Sequence, residues 1–438
     1  MSTPTADAAL AARRALAGWL ERIAQNHPRE IALGLERVAA VRDRLRLASD
    51  AVVLTVGGTN GKGSCVAMLD AILRAAGYRV GAYTSPHLLR YNERVRIDGR
   101  EVGDAALCEA FAAVEAARDD TPLTYFEHGT LAALWLFAGA GLDAVVLEVG
   151  LGGRLDAVNI VDPDVAVVTT VDLDHQDWLG PDRESIGFEK AGIFRGDRPA
   201  VYGGDDPPAR LLAHAASIGA RLRIAGRDFG TVVRPGDWDY LSGGARRRVG
   251  LPVPALRGAF QLQNAAAALA ALEAVEDRLP VSAAALREGL LGARPAGRFQ
   301  VVPGGVTTVF DVAHNPQAAR VLRDNLRQLA AGQGKTFAVF SMLRDKDIAA
   351  VVAAVAPEIA GWFYAPLAVA RGADRAQLAE RLAAAGVAVP CHGADSLAAA
   401  WAAARAAAAP GDRVLVFGSF HTVAALLPAA GEAQDPLL

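Results

Sequence analysis

The chain has 438 residues, 52% of them hydrophobic, which is enough for two ordinary domains, each with its own core. Its formal net charge of −3 gives no footprint for nucleic acid, and no apolar run approaches the roughly 20 residues of a membrane span. Cys65, Cys108 and Cys391 are too scattered for a metal pair or a disulfide framework, so a reducing cytoplasm is expected, and Asp7, Arg13, Arg14 and Glu21 interrupt the N-terminal segment where a signal peptide would be unbroken.

Continuous apolar runs predict buried strands at Ala51–Val56, Ala144–Leu147 and Val165–Val168, with a further apolar stretch at Val80–Tyr83. Segments of helical period intervene at Cys65–Ala76 and Gly129–Phe137, and another follows at Ala265–Val275. Strands and helices alternating in this way predict an α/β fold with a mainly parallel sheet covered on both faces. The Gly-, Pro- and Arg-rich stretch Gly226–Pro254 reads as a hairpin or small sheet appended to that domain. A second series of strands, Val306–Phe310, Thr336–Phe340, Trp362–Tyr364 and Val414–Phe417, predicts a smaller Rossmann-like α/β domain. The turn-rich segment Gly292–Gly297 marks the boundary, giving domains at 1–295 and 296–438. No heptad or exposed apolar stripe is visible, so a monomer is expected.

Of 45 basic residues only Lys62, Lys190, Lys335 and Lys346 are lysines. Lysine is a compact ammonium and a primary amine, and arginine is neither, so a surviving lysine in such a chain marks a role that arginine cannot fill or a chance survival. Lys62 lies in Gly57-Gly58-Thr59-Asn60-Gly61-Lys62-Gly63-Ser64, between a predicted buried strand and a predicted helix. Glycines let backbone amides turn toward phosphate oxygens, and the helix N-terminus favours anions. Lys62 suits the outer phosphates, and Ser64 suits phosphate or Mg²⁺. The match to the general P-loop pattern is altered by Gly63, inserted between Lys62 and Ser64, and by Val56 at the first glycine position.

With that insertion the run resembles the ATP loop of the folylpolyglutamate synthase and dihydrofolate synthase family, within the Mur-ligase superfamily. Thr84-Ser85-Pro86-His87-Leu88, Tyr91-Asn92-Glu93-Arg94-Val95, and Leu147 to Asp156 resemble the same family. So do Asp174-His175, Phe188-Glu189-Lys190-Ala191-Gly192, Gly297-Arg298-Phe299, Asp311 to Pro316 and Gly418-Ser419-Phe420-His421, in the family's order from about Trp19 to about Val423. Several motifs in order are far more specific than one.

The resemblance implies a P-loop-containing ATP domain with folate-binding loops, a C-terminal glutamate-ligase domain, and ATP-dependent addition of L-glutamate to dihydropteroate and to reduced folates. It implies ATP as co-substrate on Gly58 to Ser64, with Asn264, Arg298 and Asp311, where helix capping is the other reading of Asn264. It implies Mg²⁺, two ions, on Ser85, Glu148 and His175, with Lys190 carbamylated into an oxygen ligand; a plain ion pair with Glu189 or Glu184 is the other reading of Lys190. Lys62, Lys190, His175 and Glu148 are the catalytic candidates. Leu33, Gly34, Thr124, Phe126, Arg154, Leu155 and Asp156 are implied for the pterin acceptor, and His314 and Ser419 for glutamate. Ala32 stands where an acidic residue is expected. It is harmless if that position contacts substrate through its backbone; if its side chain matters, only the folylpolyglutamate synthase activity is expected. Two alternatives remain: a cell-wall Mur ligase, for whose added N-terminal domain the early ATP loop leaves no room, and a nucleotide-gated binding protein without turnover.

Overall fold

The computed structural model describes residues 6–243, 247–256, 258–329 and 334–431. Residues 1–5 and 432–438, the outer ends of the two expected domains, and residues 244–246 of the expected small sheet lie outside the described residues. The chain divides into two compact units: Met1–Ala255 with Leu262–Ala293, and Arg294–Leu438 with Leu256–Gln261.

The first unit holds eight strands in one sheet: β1 (Val52–Gly57), β2 (Val80–Tyr83), β3 (Val95–Ile97), β4 (Arg100–Glu101), β5 (Ala144–Glu148), β6 (Val165–Val168), β7 (Pro199–Tyr202) and β8 (Arg221–Ile224). Their order is β4-β3-β2-β5-β1-β6-β7-β8, parallel except where β3 and β4 turn back along one edge. Val-rich β5 and β6 are buried throughout because helices cover both faces, which is why they read as unbroken apolar runs.

Register decides where the loops emerge. Tyr83 pairs with Leu147, Val56 with Glu148 and Gly57 with Val168, so β2, β5, β1 and β6 end side by side. The loops that follow leave from one edge of the sheet, the usual place for a ligand in such a fold. The stretch from Gly226 to Pro254 forms the antiparallel strands β9 (Phe229–Arg234), β10 (Asp237–Ser242) and β11 (Arg247–Pro252).

The second unit has β12 (Gln300–Val302), β13 (Thr307–Asp311), β14 (Thr336–Phe340), β15 (Gly361–Tyr364), β16 (Cys391–Gly393) and β17 (Arg413–Phe417), ordered β12-β13-β17-β14-β15-β16. All pairs are parallel except β12 with β13. Asp311 pairs with Phe417, so the loops after β13 and β17 are neighbours. Among the described residues no helix is long and apolar enough to cross a membrane.

Candidate functional site

β1 delivers Gly58 to Gly61 to the N-terminus of the helix Lys62–Ala75. Gly58 and Gly61 have φ values of +142° and +88°, a region that side chains rarely adopt. A methyl group at Gly58 would collide with Oγ1 of Thr169, and one at Gly61 with the side chain of Asn264. The loop is therefore packed from two sides. The segment after β6 also ties it down: the Thr59 amide donates to the Thr170 carbonyl at 2.8 Å, and Thr169 Oγ1 donates to the Asn60 carbonyl at 2.6 Å. Lys62 curls over the loop, with Nζ 3.0 Å from the Gly58 carbonyl. Ser64 is buried in the first helical turn. Asn264 lies in the second turn of the helix Ala259–Ala274 rather than at its start, so helix capping does not explain it.

Ser85 and Glu148 come together at the adjacent ends of β2 and β5, where the Ser85 amide donates to the Glu148 carboxylate at 3.2 Å. Glu148 is buried, and its charge helps burial push the nearby Cys65 thiol up to about 12. His175 follows β6 in a left-handed conformation, and its amide donates to Asp174 at 2.9 Å. Lys190 sits in the helix Arg183–Ala191, only 4% exposed. Burial, reinforced by the charge of Lys62, lowers its ammonium to about 7, against the opposing pull of Asp174 and Asp156. The ion-pair alternatives for Lys190 are taken elsewhere. Glu189 holds Arg154 at 2.8 Å, and Glu184 accepts from the amides of Ala209 and Arg210.

Three further segments converge in the same unit. The Gly34 amide donates to the Leu155 carbonyl at 3.4 Å, joining the loop of Leu33 and Gly34 to the loop after β5. Thr124 caps the helix Tyr125–Ala138 through a reciprocal pair with Glu127. Arg37 bridges the two, donating to the Ala32 carbonyl at 2.8 Å and to Glu127 at 2.7 Å. The Ala32 backbone is thus tied to Arg37, a contact that any residue at position 32 could make. Phe126 packs 6.0 Å from Tyr83, ring centre to ring centre. Arg154 lies over the Phe188 ring at 5.7 Å and is fixed by two bonds to Glu189. Asp156 accepts from the amides of Leu151 and Val158, yet burial raises its carboxyl to about 6.

In the second unit, the partly buried Asp311 ends β13 and accepts from the amides of Phe299 and Ala313, both at 2.8 Å. Burial raises its carboxyl while the Arg298 charge opposes the rise. The Phe420 ring lies 5.1 Å from the Arg298 guanidinium and 6.2 Å from the His314 ring. Ser419 receives the Thr422 amide at 3.0 Å and so caps the helix Phe420–Gly431. Arg298, Asp311, His314 and Ser419 therefore gather at one end of this sheet.

Four organising side chains escaped selection by sequence: Thr169, Arg37, Glu127 and Phe420. Phe420 lay in a quoted motif, but nothing in the sequence places its ring between Arg298 and His314. Among the described residues no three His, Cys, Asp or Glu side chains form a preformed metal cage. What is present is a hard-oxygen corner, Ser85 and Glu148, beside a phosphate-type loop. That corner fits a divalent cation of the Mg²⁺ type arriving with a nucleotide, which takes few protein ligands.

Residues 56–272 match the Mur ligase middle domain and residues 297–420 the Mur ligase glutamate ligase domain. The dihydrofolate synthase/folylpolyglutamate synthase of Escherichia coli K12 is 49% identical over 93% of this chain and 94% of its own. The structure of Escherichia coli FolC in complex with DHPP and ADP superposes with a TM-score of 0.91 at 48% identity, covering 96% of this chain and 98% of the other. A bifunctional folylpolyglutamate synthase/dihydrofolate synthase with Mn, AMPPNP and L-glutamate bound gives 0.88 at 49% identity, over 95% and 98%. Identity of this degree over nearly the full length of both chains shows that the protein belongs to the dihydrofolate synthase/folylpolyglutamate synthase family of Mur ligases.

Proposed function

We propose that this chain ligates L-glutamate to dihydropteroate, making dihydrofolate, and to reduced folates, making folylpolyglutamates, with ATP as the energy source. The observation that carries the reading is the convergence, in one unit, of the ATP-type loop, the Ser85–Glu148 corner, Lys190 and the three segments bearing Leu33–Gly34, Thr124–Phe126 and Arg154–Asp156. Relatives with ADP, AMPPNP, Mn and L-glutamate bound support it.

A carboxylate has no leaving group that an amine can displace. In the proposed sequence an acceptor carboxylate oxygen bonds to the γ-phosphorus as the bond to ADP breaks. The resulting acyl phosphate is attacked at its carbonyl by the amine of glutamate, and inorganic phosphate leaves with the carbonyl–oxygen bond electrons and takes up the proton that the amine nitrogen loses. Charge accumulates on the transferring phosphoryl group, so the work of the chain is to surround it with cations and exclude water. Lys62 and the loop amides take the phosphates, and Ser64 stands at the helix N-terminus beside them. Ser85, Glu148, His175 and a carbamate on Lys190 would hold two Mg²⁺ ions, which supply further positive charge. Asn264 supports the loop. In the second unit Arg298 is assigned to phosphate, Asp311 to ribose, and His314 and Ser419 to glutamate. Residues 1–295 thus carry the ATP loop and the acceptor segments, and residues 296–438 carry the glutamate residues with Arg298 and Asp311. The protein works as a cytoplasmic monomer in this reading.

Relatives that carry both names, at 49% identity, favour both activities over folylpolyglutamate synthesis alone. The test is to supply purified protein with ATP, Mg²⁺, bicarbonate and glutamate, and with dihydropteroate or tetrahydrofolate in separate reactions. Glutamylated product from both, with ADP release, is the expected result. Product from tetrahydrofolate alone reduces the function to polyglutamate synthesis, and no product from either refutes it.

A further inference from the structure

Arg94 ends the short 3-10 turn Tyr91–Arg94 and is only 9% exposed. Its Nε donates to Nδ1 of His87 at 2.8 Å. The guanidinium lies 5.3 Å from the Tyr91 ring and 5.6 Å from the Tyr125 ring. Its two terminal nitrogens donate to no described residue, and no carboxylate among the described residues forms an ion pair with it. Arg37, partly enclosed in the same unit, is by contrast matched with Glu127. The Tyr91 and Tyr125 rings offset part of the cost of enclosing a cation with no carboxylate beside it, and the terminal nitrogens of Arg94 are not among the buried atoms left without a partner, so they stay open to solvent or a ligand.

Its position gives the missing anion an address. The Arg94 carbonyl accepts from the Thr84 amide at 2.9 Å, one residue before Ser85, whose own amide meets Glu148. Tyr125, one of the two rings at the guanidinium, stands between Thr124 and Phe126. Arg94 is thereby fixed between the oxygen corner and an acceptor segment.

We propose that Arg94 is a carboxylate-binding residue of the acceptor site, its terminal nitrogens gripping the carboxylate that becomes activated. The inference rests on the functional reading above and deepens it. A planar guanidinium matches a carboxylate with two parallel bonds, and the Tyr91 and Tyr125 rings with His87 hold the fork in place. The group would orient one carboxylate oxygen for reaction and hold that charge beside the phosphates.

The test compares dihydropteroate, which has a single carboxylate, with its carboxamide, using protein fluorescence for binding and ADP release for turnover. In the parent protein the carboxylate form is expected to bind at least about tenfold tighter. Arg94→Gln is expected to weaken dihydropteroate about tenfold to a hundredfold, to leave the carboxamide within about threefold, and to leave the KM for ATP unchanged. Arg94→Lys should recover part of the loss. A tetrahydrofolate analogue amidated only on its α-carboxylate separates the two carboxylate sources: it should remain as sensitive to Arg94→Gln as tetrahydrofolate itself. Equal weakening of dihydropteroate and its carboxamide, or no weakening of either, would overturn the proposal. If Arg94→Gln fails to fold, a parent protein that binds both forms equally overturns it alone. Failure of the parent to glutamylate any acceptor is a different result and removes the functional reading itself.

Discussion

Lys190 gives the sharpest chemical prediction. Carbon dioxide adds only to a neutral amine: the nitrogen bonds to carbon and a proton leaves to solvent. An ordinary lysine ammonium at 10.5 leaves about one amine in three thousand neutral at pH 7, whereas one lowered to about 7 leaves about half. Burial and the Lys62 charge therefore multiply the reactive form by about a thousandfold. The adduct then changes a cation beside Lys62 into an anion. The assay starts from protein stripped of CO₂ in purged, mildly acidic buffer and then supplied with ¹³C-bicarbonate. A carbamate resonance should grow in step with recovered ligase activity, and the recovery rate at fixed dissolved CO₂ should rise through pH 7 and level off above it. Lys190→Met should show no resonance and lose about a hundredfold or more of turnover, the scale of removing one preorganised charge from a phosphoryl-transfer site. Short carboxylic acids are expected to restore part of that loss by filling the vacated space. Turnover by Lys190→Met near the parent rate would refute the reasoning, as would a recovery profile centred near 10.

Three other outcomes follow from the geometry. Asp156 titrates at about 6 in the fold against 3.8 unfolded, so the native state retains a proton that the unfolded chain has already released. Its contribution to stability therefore falls as pH rises from 3.8 to about 6, and Asp156→Asn should remove that slope from the difference between the two thermal-unfolding profiles. Gly58→Ala forces a methyl group against Thr169 at a φ of +142°. It should cost about 1–3 kcal/mol of stability by calorimetry and raise the KM for ATP more than that for acceptor. Thr124→Ala removes one half of the capping pair with Glu127, for a loss of about 1 kcal/mol in urea unfolding.

What the sequence made legible follows the physics of each position. β5 and β6 stood out because strands covered on both faces must be apolar throughout. The ATP loop stood out because its backbone requires glycine where few other residues fit. β3 and β4 were missed: they are short, lie at an edge, and carry Arg96, Arg100 and Glu101, so they have neither the length nor the apolar pattern of a strand. The helix Ala259–Ala274 was placed too late: Asn264 read as its opening cap, whereas the helix begins five residues earlier and Asn264 is buried against Gly61.

The basic residues show the same division more sharply. Four lysines in a chain rich in arginine can be weighed one by one, and two of them, Lys62 and Lys190, lie close enough for one charge to lower the other's pKa. The arginines carry no such mark. Arg37 meets Glu127 across 90 positions, and Arg154 meets Glu189 across 35. Nothing local distinguishes either from the solvent-facing Arg100. Pairing separates them: each meets a carboxylate that only the fold brings beside it. Arg94 is enclosed by His87, Tyr91 and Tyr125, none of which carries a carboxylate. A charge left unmatched in a folded chain is evidence about a ligand, and it becomes readable only after every neighbouring charge has been assigned its partner.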